Sequence, residues 1–149
     1  MKKEKENIIL VGAGGHCIAC IDVIEQEGKY NILGLIDDDS SKIGTSILGY
    51  KVLGDTEFLQ EITKECNNFL ITIGQIKSPK LRIEKFNYLK KIGVNFPVII
   101  SPTAYVSKHS KIEEGTIIMH KVVINANSHV GKNNIINTKA LIEHDCTIG

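Results

Sequence analysis

From Ala104 onward, every sixth residue of this chain is a branched aliphatic: Val106, Ile112, Ile118, Ile124, Val130, Ile136, Ile142 and Ile148. Two positions before each stands a small or compact residue, in turn Ala104, Ser110, Thr116, Val122, Ser128, Asn134, Ala140 and Cys146. No helix holds a period of six on one face, because helical patterns repeat at three and four. A plain strand has period two and would break at a turn after roughly 5–6 residues. A β-sandwich would need hairpin turns at regular spacing, and the stretch lacks their signals. The period therefore predicts a parallel β-helix, with short strands coiling around a narrow triangular core. Each aliphatic points inward onto its counterpart in the next coil, the small residue fits the corner, and polar residues face out.

A coil of this kind takes about three hexads, so Ala104 to Gly149 supplies about two and a half coils. Solenoids need roughly three repeats and a cap, yet the pattern is still running at Ile148-Gly149. The reading at this level is a β-helix cut before its end, and a fragment that is inactive or nearly so.

Upstream of residue 101 the pattern changes, which divides the chain into a domain over 1–100 and the start of a second over 101–149, with Ser101-Pro102 as the hinge. Asn7–Val11 is a short apolar run closed by Gly12-Ala13-Gly14-Gly15, and a helical pattern follows with Cys17, Ile21 and Ile24 on one face and Gly28 as its cap. Asn31–Ile36 reads as a second buried strand ending in Asp37-Asp38-Asp39, and Tyr50–Leu53 as a short edge strand. Asp55 is placed to cap a helix bearing Phe58, Leu59 and Ile62. Asn68–Ile73 is the next strand. Ser78-Pro79 opens a helix with Leu81, Tyr88, Leu89 and Ile92 on one side, and Asn95–Ile100 is the last strand. Strands alternating with helices predict an α/β, Rossmann-like domain with a parallel sheet.

The net charge of +1 gives no bias towards nucleic acid or a membrane surface. The apolar run Ile8–Val11 is too short for a signal sequence, and no span approaches the ~18 apolar residues of a transmembrane helix. The four cysteines then read as reduced thiols in a cytoplasm. Cys17 and Cys20 form a C-x-x-C, but helical spacing puts both on the flank of Ile21 and Ile24, where cysteine acts as a small hydrophobe. His16 could complete a metal site with them only through Cys66 or Cys146 on distant elements, so no metal is expected.

Gly12-Ala13-Gly14-Gly15 between strand and helix is where backbone N–H groups and the helix dipole hold a phosphate. Ligands of open parallel sheets bind beyond the carboxyl ends of the strands. Gly14, Gly15 and His16, the acids Asp37 and Asp38, and Gly74-Gln75 all lie at such ends, which predicts a nucleotide-containing ligand. In the repeat, Glu143-His144-Asp145 projects from a coil flank, and a histidine beside acids suits a general base. His109, His120 and His129 project likewise, so the pattern alone also fits an ordinary surface histidine.

Several segments occur in one order: Gly-Ala-Gly-Gly-His at 12–16, Asp37-Asp38, Val52-Leu53-Gly54, Ile71-Thr72-Ile73-Gly74, Ser101-Pro102-Thr103-Ala104-Tyr105-Val106-Ser107, and Ile136-Asn137-Thr138 through Ile142-Glu143-His144-Asp145-Cys146. Together they resemble the bacterial sugar acetyltransferases grouped with sialic acid O-acetyltransferases and with the N-acetyltransferases of UDP-4-amino-sugars. The resemblance spans nearly the whole chain and implies a homotrimer of Rossmann-like domains joined to left-handed β-helices, using acetyl-CoA as cosubstrate. It implies His144 as catalytic base, Asp145 as the acid that tunes it, and Asn137 as the amide near the acetyl group. Gly14, Gly15, His16, Asp37 and Asp38 would line the nucleotide-sugar pocket, with the CoA groove between neighbouring β-helices. The chain departs from the family pattern at Cys17, usually glycine, and at Ser101, often histidine. It departs again at Gln75-Ile76-Lys77, usually an asparagine-bearing loop, with Arg82 displaced downstream.

The implied function is acetyl-CoA-dependent N-acetylation of a UDP-4-amino-sugar in surface-glycan biosynthesis, with sialic acid O-acetylation as the alternative acceptor. Two readings of other classes are an NAD(P)-linked oxidoreductase, which leaves the hexad repeat without a purpose, and a non-catalytic nucleotide-binding trimer.

Overall fold

A computed structural model describes residues 4–149. Strands β1 (Glu6–Val11), β2 (Tyr30–Ile36), β3 (Ser46–Ile47), β4 (Tyr50–Gly54) and β5 (Phe69–Ile71) form one sheet in the order β3-β4-β2-β1-β5. All pairs are parallel except β3 with β4. Along β1, alternate side chains enter different cores. Ile8 and Leu10 pack with α1 (Gly15–Glu27), while Ile9 and Val11 pack with α2 (Leu59–Ile62) and α3 (Lys80–Ile92). A strand buried on both faces reads as an unbroken apolar run, as Ile8–Val11 does. Helix α1 ends on Gly28, whose φ of 71° is left-handed and whose N–H returns to Ile24 O, as its cap position predicted.

The hexads form the expected coils. The strand pairs β6 (Ile99–Ile100), β9 (Ile117–Ile118) and β12 (Ile135–Ile136) make one three-stranded sheet. A second holds β7 (Tyr105–Val106), β10 (Val123–Ile124) and β13 (Leu141–Ile142), and a third β8 (Lys111–Ile112), β11 (His129–Val130) and β14 (Thr147–Ile148). All pairings are parallel at a shift of 18 residues, as in Val123↔Leu141, so a coil is three hexads. The architecture is a Rossmann-like sheet followed by a left-handed parallel β-helix. Inward Ile118, Ile124 and Val130 are fully buried. The small residues close the corners: Thr116 Oγ1 donates to Gly131 O (2.7 Å) and Ser128 Oγ to Glu143 O (2.7 Å).

One feature of the corners escaped the sequence. Gly115, Lys121, Asn127, Asn133, Lys139 and Asp145, one per hexad, all have positive φ, from 54° to 72°. Asparagine and aspartate tolerate that region best among residues with a Cβ, but lysine carries no such mark.

The structure departs from four local expectations. The strand expected over Asn95–Ile100 resolves into one bridge, Asn68↔Asn95, and β6, which pairs with β9 of the coil. The strand at Tyr50 is not an edge, because β3 covers it. Asp55 accepts from the N–H groups of Glu57 and Phe58, capping a turn ahead of the short α2, and Phe58 itself is exposed. Helix α3 buries Arg82, Phe86 and Leu89, at a spacing of four and three, and leaves Leu81 and Ile92 exposed. The aromatic pair decides that rotation: Phe86 and Phe96 lie 4.4 Å apart by ring centroid, against Gly115 of the coil.

The β6/β9/β12 face lies against α1, so Ile99 and Ile117 join Ile8, Leu10, Cys17, Cys20 and Ile21 in one apolar core that runs from the sheet into the β-helix. Polar links reinforce that junction. Glu27 Oε1 accepts from Ile100 N (3.2 Å), and Asp22 Oδ2 pairs with His120 Nε2 (2.7 Å).

Candidate functional site

At the carboxyl ends of β1, β2 and β5 opens a cavity of about 880 Å³. Gly12, Gly14, Gly15 and His16 line one wall, Asp37, Asp38, Lys42, Thr56 and Lys85 another, and Gly74, Gln75 and Ile76 a third. Asn134, Ile135 and Asn137 of the coil close the far side. The residues predicted for a nucleotide ligand, together with Asn137, therefore meet in one space.

Gly12 is dictated by packing. Its φ is +116°, and a Cβ there would lie 2.5 Å from Ile73 Cγ1; its carbonyl accepts from the buried Thr72 hydroxyl (2.6 Å). Gly14 and Gly15 differ, since a Cβ at either meets nothing within 4 Å. They sit at the start of α1, whose free N–H groups and dipole favour an anion.

The two acids are engaged within the protein. Asp37 accepts from Ala13 N (2.8 Å), Asp39 N (2.9 Å) and Lys42 Nζ (3.1 Å), which ties β2 to the glycine loop. Burial pushes its carboxyl up, but the Asp39 and Ala13 N–H groups and Lys42 outweigh this and hold it below its usual value. Asp38 accepts from Thr56 N (2.9 Å) and Thr56 Oγ1 (2.6 Å) and pairs with Lys85. Burial again opposes ionisation there, and Lys85 and Thr56 together hold the carboxyl low. Lys42, Thr56 and Lys85 carried no sequence signal, being common surface types outside any motif. They join the site because they bond to the two acids, Lys42 to Asp37 and Thr56 and Lys85 to Asp38.

His16 is held neutral. Burial, then the charge of Arg82, lowers its pKa from 6.5 to about 4, and its Nε2 lies 3.2 Å from Cys20 Sγ. Burial pushes the Cys17 thiol up to about 11 and the Cys20 thiol up as well, so both are inert apolar side chains on the buried face of α1. The described residues hold no group of three or more His, Cys, Asp or Glu side chains placed for a metal ion.

Arg82, 1% exposed, joins the two halves of the site. Its Nη1 donates to Ile71 O (2.6 Å) and Ile73 O (2.9 Å) at the end of β5, and its Nε to Asn133 O (2.9 Å) in a coil corner. Its partners are carbonyls, and burial pulls its pKa down to about 10.

His144 and Asp145 stand apart from the cavity. They form the corner after β13, one face of the β-helix beyond Asn137, and neither lines the cavity. His144 Nδ1 lies 2.5 Å from Asp145 Oδ2, and His144 is 73% exposed. The hydrogen bond and charge of Asp145 raise the His144 pKa. Between the two places runs the outward row of the β7/β10/β13 sheet, Tyr105, Val123 and Leu141, with Tyr105 and Leu141 each 59% exposed.

A Rossmann-like sheet whose strand ends open onto a cavity walled by a β-helix defines a two-part protein that presents a small-molecule site to the coil. The family follows from comparison: residues 7–89 match the PglD N-terminal domain, and the chain belongs to that family. It is 28% identical over 144 residues to the GDP-perosamine N-acetyltransferase of Escherichia coli O157:H7, covering 94% of this chain and 63% of that protein. The PerB structure of Caulobacter crescentus, in complex with CoA and GDP-perosamine, superposes with a TM-score of 0.86 at 29% identity, over 95% of this chain and 64% of that one. The acetyltransferase domain of PglB from Neisseria gonorrhoeae, in complex with acetyl coenzyme A, gives 0.84 at 28% identity, over 97% and 67%. This chain thus spans just under two thirds of the Escherichia and Caulobacter relatives.

Proposed function

We propose that this chain is the nucleotide-sugar-binding and β-helical part of an acetyl-CoA-dependent sugar N-acetyltransferase. The observation that carries the reading is the cavity, with a glycine loop and helix N-terminus on one side and Asn134, Ile135 and Asn137 of the β-helix on the other. The relatives that bind CoA, acetyl coenzyme A or GDP-perosamine support it. The nucleotide diphosphate lies at Gly14 and Gly15 with Lys42 and Lys85 nearby, and the acceptor is a GDP- or UDP-linked amino sugar. His144 is the base and Asp145 its partner, while Asn137 lies near the acetyl group. The sugar amine attacks the thioester carbonyl, the C–N bond forms as the C–S bond breaks, and the amine proton passes to His144 and then to the leaving CoA thiolate.

His144 does not reach the cavity of its own chain, and a homotrimer supplies the missing approach. Three copies packed through the Tyr105-Val123-Leu141 row, in which Tyr105 and Leu141 are exposed, would set His144 of one copy beside the cavity of the next.

Calorimetric titration of the chain with GDP- and UDP-4-amino-sugars, CMP-sialic acid and free sialic acid tests the acceptor. Binding of an amino-sugar nucleotide alone supports N-acetylation, whereas preference for the sialic acid forms points to O-acetylation. Binding of none refutes the assignment of the cavity. Acetyl transfer is assayed on this chain and on a form extended to the relatives' length, and a rate unchanged by His144→Ala would remove the base assignment.

A further inference from the structure

Directly beneath the Glu143-His144-Asp145 corner, one coil earlier, lies Asn125-Ala126-Asn127-Ser128, and each of its four residues is hydrogen-bonded to the corner. Asn125 Nδ2 donates to Glu143 Oε2 (3.1 Å) and Asn127 Nδ2 to Asp145 Oδ1 (2.5 Å). Asp145 N donates to Ala126 O (3.2 Å) and Ser128 Oγ to Glu143 O (2.7 Å). Asn127 and Asp145 occupy equivalent places in successive coils, each with φ 61°, so their side chains leave the corner side by side. The two oxygens of Asp145 are thereby divided: Oδ1 takes the Asn127 amide, and Oδ2 faces His144 Nδ1 at 2.5 Å. Among the described residues His144 bonds through Nδ1 alone, and its Nε2 has no partner.

The geometry points to Asn127 as the positioning residue of the catalytic base: it fixes the Asp145 carboxylate, which retains the proton on His144 Nδ1 and leaves the Nε2 lone pair free to accept one. This rests on the reading of His144 as the base. The physical reason is that a carboxylate with one free oxygen rotates about its terminal bond and offers the imidazole either edge. An amide donor on Oδ1 removes that freedom and favours the ionised acid. An amide suits the place better than a lysine, which would cancel the negative charge that the imidazolium needs. It also suits it better than a second acid, which would repel Asp145. The side chain of Asn127, ahead of His144, holds the Asp145 carboxyl below its usual value. The charged groups facing His144 are Asp145 and Glu143, both on its own turn, and the coil beneath brings only the amides of Asn125 and Asn127.

The corner is exposed, so the arrangement contributes little to stability, and its effect is read on the imidazole itself. Asn127→Gly removes the side chain and keeps the left-handed backbone without strain. Nitrogen-detected NMR of the 149-residue chain reports which ring nitrogen of His144 carries the proton above its titration midpoint. The wild type is expected to hold the proton on Nδ1. In Asn127→Gly the Nε2–H form grows severalfold and the midpoint moves down, with thermal stability unchanged. In a form that shows acetyl transfer, kcat falls on the order of tenfold at constant KM. A wild-type imidazole protonated mainly on Nε2, or identical tautomer ratios and midpoints in wild type and Asn127→Gly, would overturn the proposal. An active His144→Ala variant would instead remove the base reading, while leaving the NMR result on Asn127 to stand or fall separately.

Discussion

The glycine loop separates two reasons for a glycine, and substituting its members one at a time tests both. Gly12→Ala places a methyl 2.5 Å from Ile73 Cγ1, 2.9 Å from Ile73 N and 3.1 Å from Thr72 C, against ordinary contacts of about 3.5–4.0 Å. Two of these three neighbours are backbone atoms, which cannot swing aside. Overpacking of this kind costs about 1–3 kcal/mol, and a side chain at φ +116° costs a further 1–3 or so. With a urea slope of about 1–3 kcal/mol per molar, the unfolding midpoint falls by roughly 1–3 M. Gly14→Ala and Gly15→Ala meet no atom within 4 Å, and Gly14 has an ordinary φ of −103°. Their stability changes stay within about 0.5 kcal/mol, or improve by up to about 1 kcal/mol at Gly15, the first residue of α1. Yet each methyl stands where the proposed diphosphate approaches the N–H groups, and on that proposal affinity for a sugar nucleotide falls on the order of tenfold or more. Urea titration followed by calorimetry on the same preparations gives both numbers. A Gly12→Ala protein as stable as wild type would refute the packing analysis. Unchanged affinity in both Gly14→Ala and Gly15→Ala would refute the placement of the diphosphate.

Arg82→Met leaves the carbonyls of Ile71, Ile73 and Asn133 without their donor, each at about 1–3 kcal/mol, offset in part by no longer burying a charge; a net loss of several kcal/mol is expected in urea, and a loss under 1 kcal/mol would contradict the junction role. Ile124→Ala, emptying a fully buried place between Val106 and Ile142, should cost about 2–5 kcal/mol. His16 has a folded pKa depressed from 6.5 to about 4, so the unfolded chain binds its proton first. Its contribution is fully present above pH 6.5 and is lost as pH falls towards 4, and His16→Gln should flatten that part of the stability profile. Leu141→Lys should leave the fold intact and shift the sedimentation-equilibrium mass towards monomer, and an unshifted mass would remove the proposed packing through the Tyr105-Val123-Leu141 row.

Both halves of the architecture could be read from the residues because each is a repetition of local rules. The hexad of a β-helix repeats one residue environment, so eight aliphatics in phase declare it without knowledge of any contact. The glycine loop and the acids at the strand ends are equally local, since topology alone sends strand ends to one side of a parallel sheet. What failed was rotation and allegiance. Helix α3 has apolar residues on two sides, and only Phe96 ahead of the coil and Gly115 within it choose Phe86 over Leu81. Asn95–Ile100 looks like one strand, but the sheet claims Asn95 and the coil claims Ile99 and Ile100.

Periodicity and turn chemistry act over a few neighbours, so the two architectures, their order along the chain and the residue types gathered at the strand ends are legible in the amino acids alone. Folding brings Asp37 and Asp38 into contact with Lys42, Thr56 and Lys85, and lets buried Arg82 tie β5 to the β-helix. It alone set Asn137 in the cavity and His144 a face away. The physical reason is that these relations join residues tens of positions apart, through side chains whose partners are fixed by how the sheet and the coil pack together and not by anything in their own neighbourhood.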